Sequence, residues 1–320
     1  MPITDDLTSI FGATRLPKVV SESICIRRTF SFRAYHFMKN IIDSALGESL
    51  LFSGTRFLFM GEAIHGVSEF SRLKMDIAER YFRKQTILIF EADSSGMLFS
   101  HQRSEDVSFR LNNFPLIMRT QEMREFLIWA ISRQIPCLGI DCIPRRPLDN
   151  FPREWHSRRK QETEDYFEAK SSHDFFEWRE MKMANQLINL ASCYPEHRMF
   201  IMLHNLHIKR FGSQERGGLK LKSVREYFED FFPEQSHSVA QLARCGTALN
   251  NDLTPFSFKI NDPLSLENCS GLDNCILLTE SQMPDTCITW HHAFERESIT
   301  PKKQYEGCFI FNEVHPPVLV

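Results

Sequence analysis

The chain has 320 residues, a net charge of −3 and 42% hydrophobic residues. This is the composition of a globular protein with enough chain for a large core. The small net charge gives no reason to expect a nucleic acid or an anionic membrane as a partner. No uncharged apolar run reaches the roughly 18 residues of a membrane span, and the first residues lack the pattern of a signal peptide. We therefore expect a cytoplasmic protein.

The cysteine pattern agrees with that compartment. The sequence contains nine cysteines, an odd number, and no Cys-x-x-Cys pair. A zinc ribbon or a redox dithiol is therefore disfavoured. Several cysteines lie in apolar runs, for example Cys137. We interpret them as buried, reduced thiols.

Short apolar runs alternate with amphipathic stretches along the chain. The runs that predict buried strands are Arg56–Met60, Thr86–Phe90, Pro136–Ile140, Arg198–Leu203, His237–Leu242, Asn274–Leu278 and Gly307–Phe311. The stretches that predict helices are Val67–Phe82, Thr120–Gln134 and Phe175–Cys193. This alternation predicts an α/β fold with a mostly parallel central sheet flanked by helices.

Two segments depart from this alternation. Residues 141–172 are rich in Arg, Glu and Trp, with three prolines near their start. They predict a helical or loop excursion in the middle of the chain, either a lid beside the site or a solvated helix pair. Residues 250–274 carry little regular pattern and predict a long loop. The sequence contains no internal repeat, so we expect one domain over residues 1–320.

Reactive side chains follow four of the predicted strands in succession. They are Glu62 and His65, then Glu91 and Asp93, then Asp141, then His204 and His207. Ligands of open parallel sheets bind beyond the carboxyl ends of the strands. Each residue alone has an ordinary explanation, because acidic side chains cap helices and a single histidine is often structural. Together they predict one functional site.

The chemistry of this set is coherent. An imidazole has a pKa of about 6.5 and can take a proton at neutral pH, which makes His65 the predicted general base. A neighbouring carboxylate fixes its tautomer, and further imidazoles can hold an oxyanion. Such a set can activate water against an ester or a lactone. The sequence has neither a Gly-x-Ser-x-Gly elbow nor a phosphate-binding Gly-rich loop.

A metal centre is the alternative for the same side chains. Glu62, His65, Glu91, His204 and His207 are all competent ligands for a divalent ion. Against this, the His-Glu-x-x-His pattern is absent and the ligands would come from separate strands. We predict no metal and no cofactor, and the divalent-metal alternative stays open.

Several segments resemble the erythromycin esterase family. Gly61–Phe70 with Lys74 and Ile87–Ala92 is similar to the opening signature of that family, and His204–His207 to its second signature. Two weaker matches are Gly139–Asp141 and Trp178–Asn185. The order of the segments is the same, and the likeness runs from about residue 30 to the C-terminus.

The resemblance implies a role for each matching residue. It implies that His65 activates the hydrolytic water while Glu62 and Glu91 orient it, and that His204 and His207 bind the substrate carbonyl or the oxyanion. It also places Lys74 beside the carboxylates, and Asp141 and Arg179 among the substrate-binding residues. The implied partner is a small-molecule or peptide-like substrate.

The sequence also departs from the family. Members that open macrolide rings carry a much longer insertion than Ala92–Leu203, and Glu180 stands where the family has Asp. A shorter insertion implies a smaller or more open cleft, which makes a macrolide a poor first substrate. We therefore predict an ester or lactone hydrolase, with natural-product tailoring as a related role. A cyclase, a metal-dependent hydrolase and a non-catalytic binding or effector module are the alternatives, and the oligomeric state is not encoded in any motif.

Overall fold

The computed structural model describes residues 54–81, 85–215, 220–270, 274–292 and 295–320. Ten strands lie in these residues. They are β1 (Phe57–Met60), β2 (Thr86–Asp93), β3 (Cys137–Asp141), β4 (Arg198–Met202), β5 (Ser236–Leu249), β6 (Pro255–Lys259), β7 (Cys275–Thr279), β8 (Cys287–His292), β9 (Glu295–Ile299) and β10 (Gly307–Val314). All seven predicted strands are among them.

A single large sheet runs through the described chain. Its strand order is β3-β2-β4-β1-β5-β10-β7, with β6 paired to β5. The contacts from β3 to β10 along this order are parallel, and β6 and β7 are antiparallel. Every residue of β1, β2 and β3 is buried, because helices cover both faces of a parallel sheet. The predicted mostly parallel α/β fold is therefore confirmed.

Eight α-helices flank or extend this sheet in the described residues. They are α1 (Ser68–Tyr81), α2 (Ser94–Gln102), α3 (Val107–Leu111), α4 (Gln121–Ser132), α5 (Arg153–Lys170), α6 (Phe175–Cys193), α7 (Val224–Glu229) and α8 (Pro301–Gln304). The three predicted helices correspond to α1, α4 and α6, and the predicted end of the first, Phe82, lies outside the described residues. On α1, Phe70, Leu73 and Ile77 are fully buried on one stripe.

The middle excursion contains one long helix. The predicted helical excursion is present as one helix, α5 (Arg153–Lys170), and the alternative of a helix pair is not observed among the described residues. Most of the surface of α5 is exposed. Arg159 is an exception, because it is 2% exposed and pairs with the buried carboxylate of Asp93. The excursion is thus anchored to the end of β2.

The prediction of a long loop over residues 250–274 is wrong. Strand β6 and a short 3-10 helix at Leu266–Ser270 lie within it. Strand β6 is an edge strand whose five residues are exposed or half-buried, so it lacks the apolar run that marks the central strands. The two-stranded ribbon of β8 and β9 was not predicted either. Its fully or nearly buried positions include Thr289, His291 and Glu297. Because these buried residues are polar, the sequence lacks the apolar–polar alternation that predicts a strand.

The cysteines are only partly as predicted. All eight in the described residues are free thiols, and Cys25 lies outside those residues. Four are buried, but Cys193 and Cys269 are exposed, which corrects the expectation of buried thiols. Within the described part of the chain, no helix has both the length and the apolar character needed to cross a membrane.

Gly66 makes the closest backbone approach near the end of β1. Its carbonyl accepts a hydrogen bond from Leu249 N at 3.0 Å, and a Cβ built on Gly66 would lie 2.3 Å from Leu249 O. We expect Gly66→Ala to lower the free energy of unfolding by about 1–3 kcal/mol in urea denaturation, because two backbone segments would have to separate. Gly54→Ala is the control, since nothing lies within 4 Å of its Cβ position. Equal effects of the two variants would contradict this account of Gly66.

Candidate active site

The loop after β1 builds the first half of the site. Nδ1 of His65 lies 2.6 Å from Oε1 of Glu62, and Lys74 from α1 donates to Oε2 of the same carboxylate at 2.5 Å. Glu62 and Lys74 are each 2% exposed. Burial opposes the negative charge of Glu62, but Lys74 and His65 outweigh it and lower the pKa of Glu62. The ionised carboxylate therefore accepts from Nδ1–H of His65 and fixes the orientation of the ring.

The carboxylate of Glu91 lies at the centre of the site. Strand β2 runs on to Asp93, so Glu91 belongs to the strand and does not follow it. Its Oε1 accepts from Arg179 at 2.7 Å and lies 3.3 Å from Nε2 of His207 and 3.7 Å from Nε2 of His65. Its Oε2 accepts from the backbone N–H of His204 at 2.9 Å. Burial raises its pKa, but the surrounding positive groups prevail and hold the pKa of Glu91 well below its usual range.

Like His204, His65 has a half-buried ring. Its side chain is 14% exposed, and its Nε2 makes no hydrogen bond within the described chain, because Glu91 is 3.7 Å away. Burial lowers the pKa of His65, but Glu91 and Glu62 outweigh burial and raise the pKa to about 9. The imidazole is consequently protonated at neutral pH in the ligand-free protein.

His207 is oriented by the carboxylate of Glu180, which was not among the predicted site residues. Its Nδ1 hydrogen-bonds Glu180 on α6, and the other oxygen of Glu180 accepts from the backbone N–H of Val224 at 2.8 Å. Burial disfavours the charged ring, but Glu180 and Glu91 raise the pKa of His207 to about 9. Glu180 occupies the position of the Asp in the resembled helix motif, and that was the available signal for its role.

His204 has no ring nitrogen left for a ligand in this structure. Its Nδ1 accepts from Leu206 N at 3.3 Å, so the proton sits on Nε2, which donates to the carbonyl of Ala63 at 2.8 Å. Burial and the charges of His65 and His292 keep its pKa well below the usual range. The neutral ring therefore ties the loop after β4 to the loop after β1.

Asp141, the last residue of β3, joins the site through arginine. Arg179 donates from Nε to Oδ1 of Asp141, and Arg145 donates to Oδ2, each at 3.0 Å. Burial raises the pKa of Asp141, but Arg179 and Arg145 outweigh it and the pKa is lowered. Arg179 therefore bridges the carboxylates at the ends of β2 and β3. No sequence signal marked Arg145, since it lies in the irregular excursion.

Asp93 does not take part in the site. Its Oδ1 caps α2 by accepting from Gly96 N at 3.0 Å, and it pairs with Arg159 of α5. The helix-cap explanation therefore applies to this acidic residue. The remaining predicted residues come together because the four strands that carry them are neighbours in the order β3-β2-β4-β1. Sequence reasoning placed them at one sheet edge, and the structure brings them there.

In the described residues, no three of the five candidate metal ligands bring one donor atom each within 4.8 Å of one another. Among the described residues, the group of histidine and acidic side chains whose donor atoms all lie within 4.8 Å of one another is Glu215, His291 and Glu297. At the sheet edge, Lys74 and Arg179 already compensate the two glutamates, and a metal there would have to displace or tolerate them. We derive no step through a metal at this edge.

Comparison with known proteins supports the fold. No family model matches the chain, and no curated protein matches it significantly. A solved Bacillus cereus protein matches with a TM-score of 0.67 and 13% identity, covering 88% of this chain and 93% of that one. A succinoglycan biosynthesis protein matches with a TM-score of 0.68 and 11% identity, over 89% and 99% of the two chains.

The third similar structure concerns the resemblance directly. An erythromycin esterase mutant in its open conformation matches with a TM-score of 0.63 and 11% identity, covering 86% of this chain and 95% of that one. At these identities the likeness shows the fold alone. The chain thus shares its fold with an erythromycin esterase, and its activity has to be argued from the site.

The raised pKa values of His65 and His207 predict how stability depends on pH. Between about pH 6.5 and 9 each ring is protonated in the folded protein and mostly neutral in the unfolded chain. Their stabilising contribution is therefore complete below pH 6.5 and is lost as the pH rises through about 9. Each bound proton contributes a slope of about 1.4 kcal/mol per pH unit.

Urea denaturation at several pH values measures this slope. We expect Glu180→Gln to make the fall in unfolding free energy between pH 6.5 and 9 shallower, because it removes the charge that does most to raise the pKa of His207. The control is Glu313→Gln, an exposed glutamate on β10, which should keep the slope of the wild type. An unfolding free energy that stays flat or rises over this range contradicts the assignment.

Proposed function

We propose that this protein hydrolyses an ester or lactone bond of a small molecule, with His65 as the general base for water. The observation that carries the proposal is the unequal use of the three histidines at the sheet edge. Both ring nitrogens of His204 and of His207 have protein partners within 3.5 Å, whereas Nε2 of His65 lies 3.7 Å from Glu91, beyond hydrogen-bond distance. A general base needs such a nitrogen within reach of its water.

The hydrolytic step follows from this geometry. Neutral His65 takes a proton from water on Nε2 as the water oxygen attacks the ester carbonyl, and Glu62 stabilises the imidazolium through Nδ1–H. The tetrahedral intermediate then collapses, the bond to the leaving oxygen breaks, and His65 returns the proton to that oxygen. Water and ester give acid and alcohol, and no group is oxidised or reduced.

Arg179 is the proposed donor to the developing oxyanion. Its guanidinium donates from Nε to Asp141 and from Nη2 to Glu91, and its Nη1 lies 3.4 Å from Nε2 of His207. The side chain of Arg179 is 12% exposed. A guanidinium has five N–H groups, so donors remain for a carbonyl oxygen. His204 and His207 become positioning residues in this proposal, because their ring nitrogens are already engaged. That replaces the oxyanion role which the resemblance implied for them.

A cavity among residues 144–167 shares Arg145 with the ion pairs of the site, and none of the catalytic residues lines it. It has a volume of about 480 Å³, which is within the range of small-molecule pockets. Its walls include Arg145, Leu148, Tyr166 and Phe167. Arg145 is also the partner of Asp141, so the cavity is connected to the catalytic edge by one ion pair. We propose that it receives a part of the substrate remote from the cleaved bond.

His65→Asn tests the general base. We expect kcat/KM for p-nitrophenyl esters or simple lactones to fall by roughly 10²–10⁴-fold, because Asn cannot take the proton. His315→Asn is the matched control, since His315 is an exposed histidine that pairs with Glu69. Circular dichroism checks that both variants fold. Undiminished turnover in His65→Asn contradicts the mechanism, and no turnover by the wild-type protein across a broad ester and lactone panel favours a binding module.

The pH profile gives an independent test. Because His65 must lose its proton to act, kcat/KM should rise with pH and level off only above about 9. Glu62→Gln should move this profile to lower pH, since it removes one of the two carboxylates that raise the pKa of His65. A profile centred on the usual pKa of histidine, about 6.5, would show that the free enzyme does not hold His65 in this way.

A metal-dependent hydrolase remains the alternative use of the same edge. It predicts that stoichiometric Zn²⁺, Mn²⁺ or Co²⁺ copurifies with the protein and is lost in Glu91→Gln, which removes the central carboxylate. We expect Glu91→Gln to leave the metal content unchanged. Loss of both metal and activity in this variant would favour the metal mechanism.

A further inference from the structure

A second buried cluster of charged groups lies outside the proposed catalytic set. It contains Glu215, His291 of β8 and Glu297 of β9, each 5% exposed or less. One donor atom from each of the three side chains lies within 4.8 Å of the other two. Carboxylate oxygen and imidazole nitrogen are the ligand types that Zn²⁺ and similar divalent ions use in proteins.

Two oxygens of this cluster lack a partner. Oε1 of Glu215 and Oε1 of Glu297 are buried and make no hydrogen bond within the described residues. Nδ1 of His292 lies 3.5 Å from Oε1 of Glu297, also without a hydrogen bond. Buried carboxylate oxygens without a donor are costly, and an unplaced ion is one of the ordinary explanations.

The cluster is also short of positive charge. Lys209 donates to Oε2 of Glu215 at 2.6 Å and lies 3.9 Å from Oε2 of Glu297. The cluster therefore has one ammonium group close to two carboxylates.

His291 is oriented as metal-binding histidines are. Its Nε2 lies 2.7 Å from Oε2 of Glu297, and its Nδ1 lies 2.7 Å from the hydroxyl of Tyr305, a fully buried residue. A histidine that binds a metal through one nitrogen almost always donates the other N–H to a fixed acceptor. The hydroxyl of Tyr305 is in place to be that acceptor.

We propose that Glu215, His291 and Glu297 bind a divalent transition-metal ion such as Zn²⁺. The proton between Nε2 of His291 and Glu297 moves to Nδ1 of His291, where the hydroxyl of Tyr305 accepts it. The ion then binds Nε2 and the unpartnered oxygens of the two glutamates. Lys209 remains on the far oxygen of Glu215. His292, whose side chain is 17% exposed, borders the cluster and offers a fourth donor atom, Nδ1, at 3.5 Å from Oε1 of Glu297.

The position of this site gives the ion a structural role. The side-chain amide of Asn205 donates to the backbone carbonyl of His291 at 2.9 Å, and the rings of His292 and His204 lie 5.3 Å apart. A metal that fixes β8 and β9 therefore supports the loop that carries His204 and His207. The proposal stands on the geometry of the β8–β9 ribbon and does not depend on an esterase activity.

Metal titration of the full chain tests the proposal. Protein stripped with chelator is titrated with Zn²⁺ by calorimetry, its bound metal is counted by mass spectrometry, and its melting temperature is followed. We expect one equivalent of Zn²⁺ to bind and to raise the melting temperature. Glu215→Gln and Glu297→Gln should abolish stoichiometric binding, and Tyr305→Phe should weaken it by roughly 10–100-fold.

Two buried glutamates provide matched controls. Glu267→Gln changes a carboxylate that hydrogen-bonds Thr289 and the backbone of Trp290, and Glu91→Gln changes the catalytic edge. Both should still bind one equivalent of Zn²⁺. The proposal is overturned if the wild-type protein takes up no stoichiometric metal, or if uptake survives in Glu215→Gln and Glu297→Gln. Loss of uptake in Glu91→Gln alone would place the metal at the sheet edge instead.

Discussion

Four groups from different parts of the chain meet on the buried carboxylate of Glu91. Arg179 comes from α6, His207 and the backbone N–H of His204 come from the loop after β4, and His65 comes from the loop after β1. A carboxylate that is 3% exposed cannot remain ionised without such compensation. The need to compensate this one charge therefore fixes where the helix and both loops lie relative to the sheet.

The same logic extends to both sides of Glu91. Glu62 is compensated by Lys74 and His65, and Asp141 by Arg179 and Arg145. Ion pairs of this kind add little net stability, because desolvation offsets most of the attraction, but removing one partner leaves a buried charge that is expensive. The side chains at the edge of the sheet are thus held in one arrangement, because removing any one charged partner destabilises the group that it compensates. Preorganisation of this type is what a catalytic site requires.

The sequence predicted the strands whose buried side chains are apolar, and it did not predict those whose buried side chains are polar. Continuous apolar runs located β1 to β4, and the rule for strand ends then placed Glu62 and Asp141 at one edge. The β8–β9 ribbon was not predicted, because its buried positions include the polar residues Thr289, His291 and Glu297. The engagement of both nitrogens of His204 was equally hidden, since it depends on a contact with Ala63, 141 residues away in the chain.

The carboxylates that orient His65 also hold its proton, which sets two requirements of a general base against each other. A hydrogen bond from Nδ1 to Glu62 selects the useful tautomer, yet every negative charge nearby stabilises the imidazolium. Lys74 and Arg179 moderate this conflict, because each places a positive charge on a carboxylate that faces His65. Glu62 still orients His65, while the carboxylates stabilise the proton on His65 less strongly. The two cations therefore lower the basicity of His65 and favour the neutral ring that can take a proton, without contacting it.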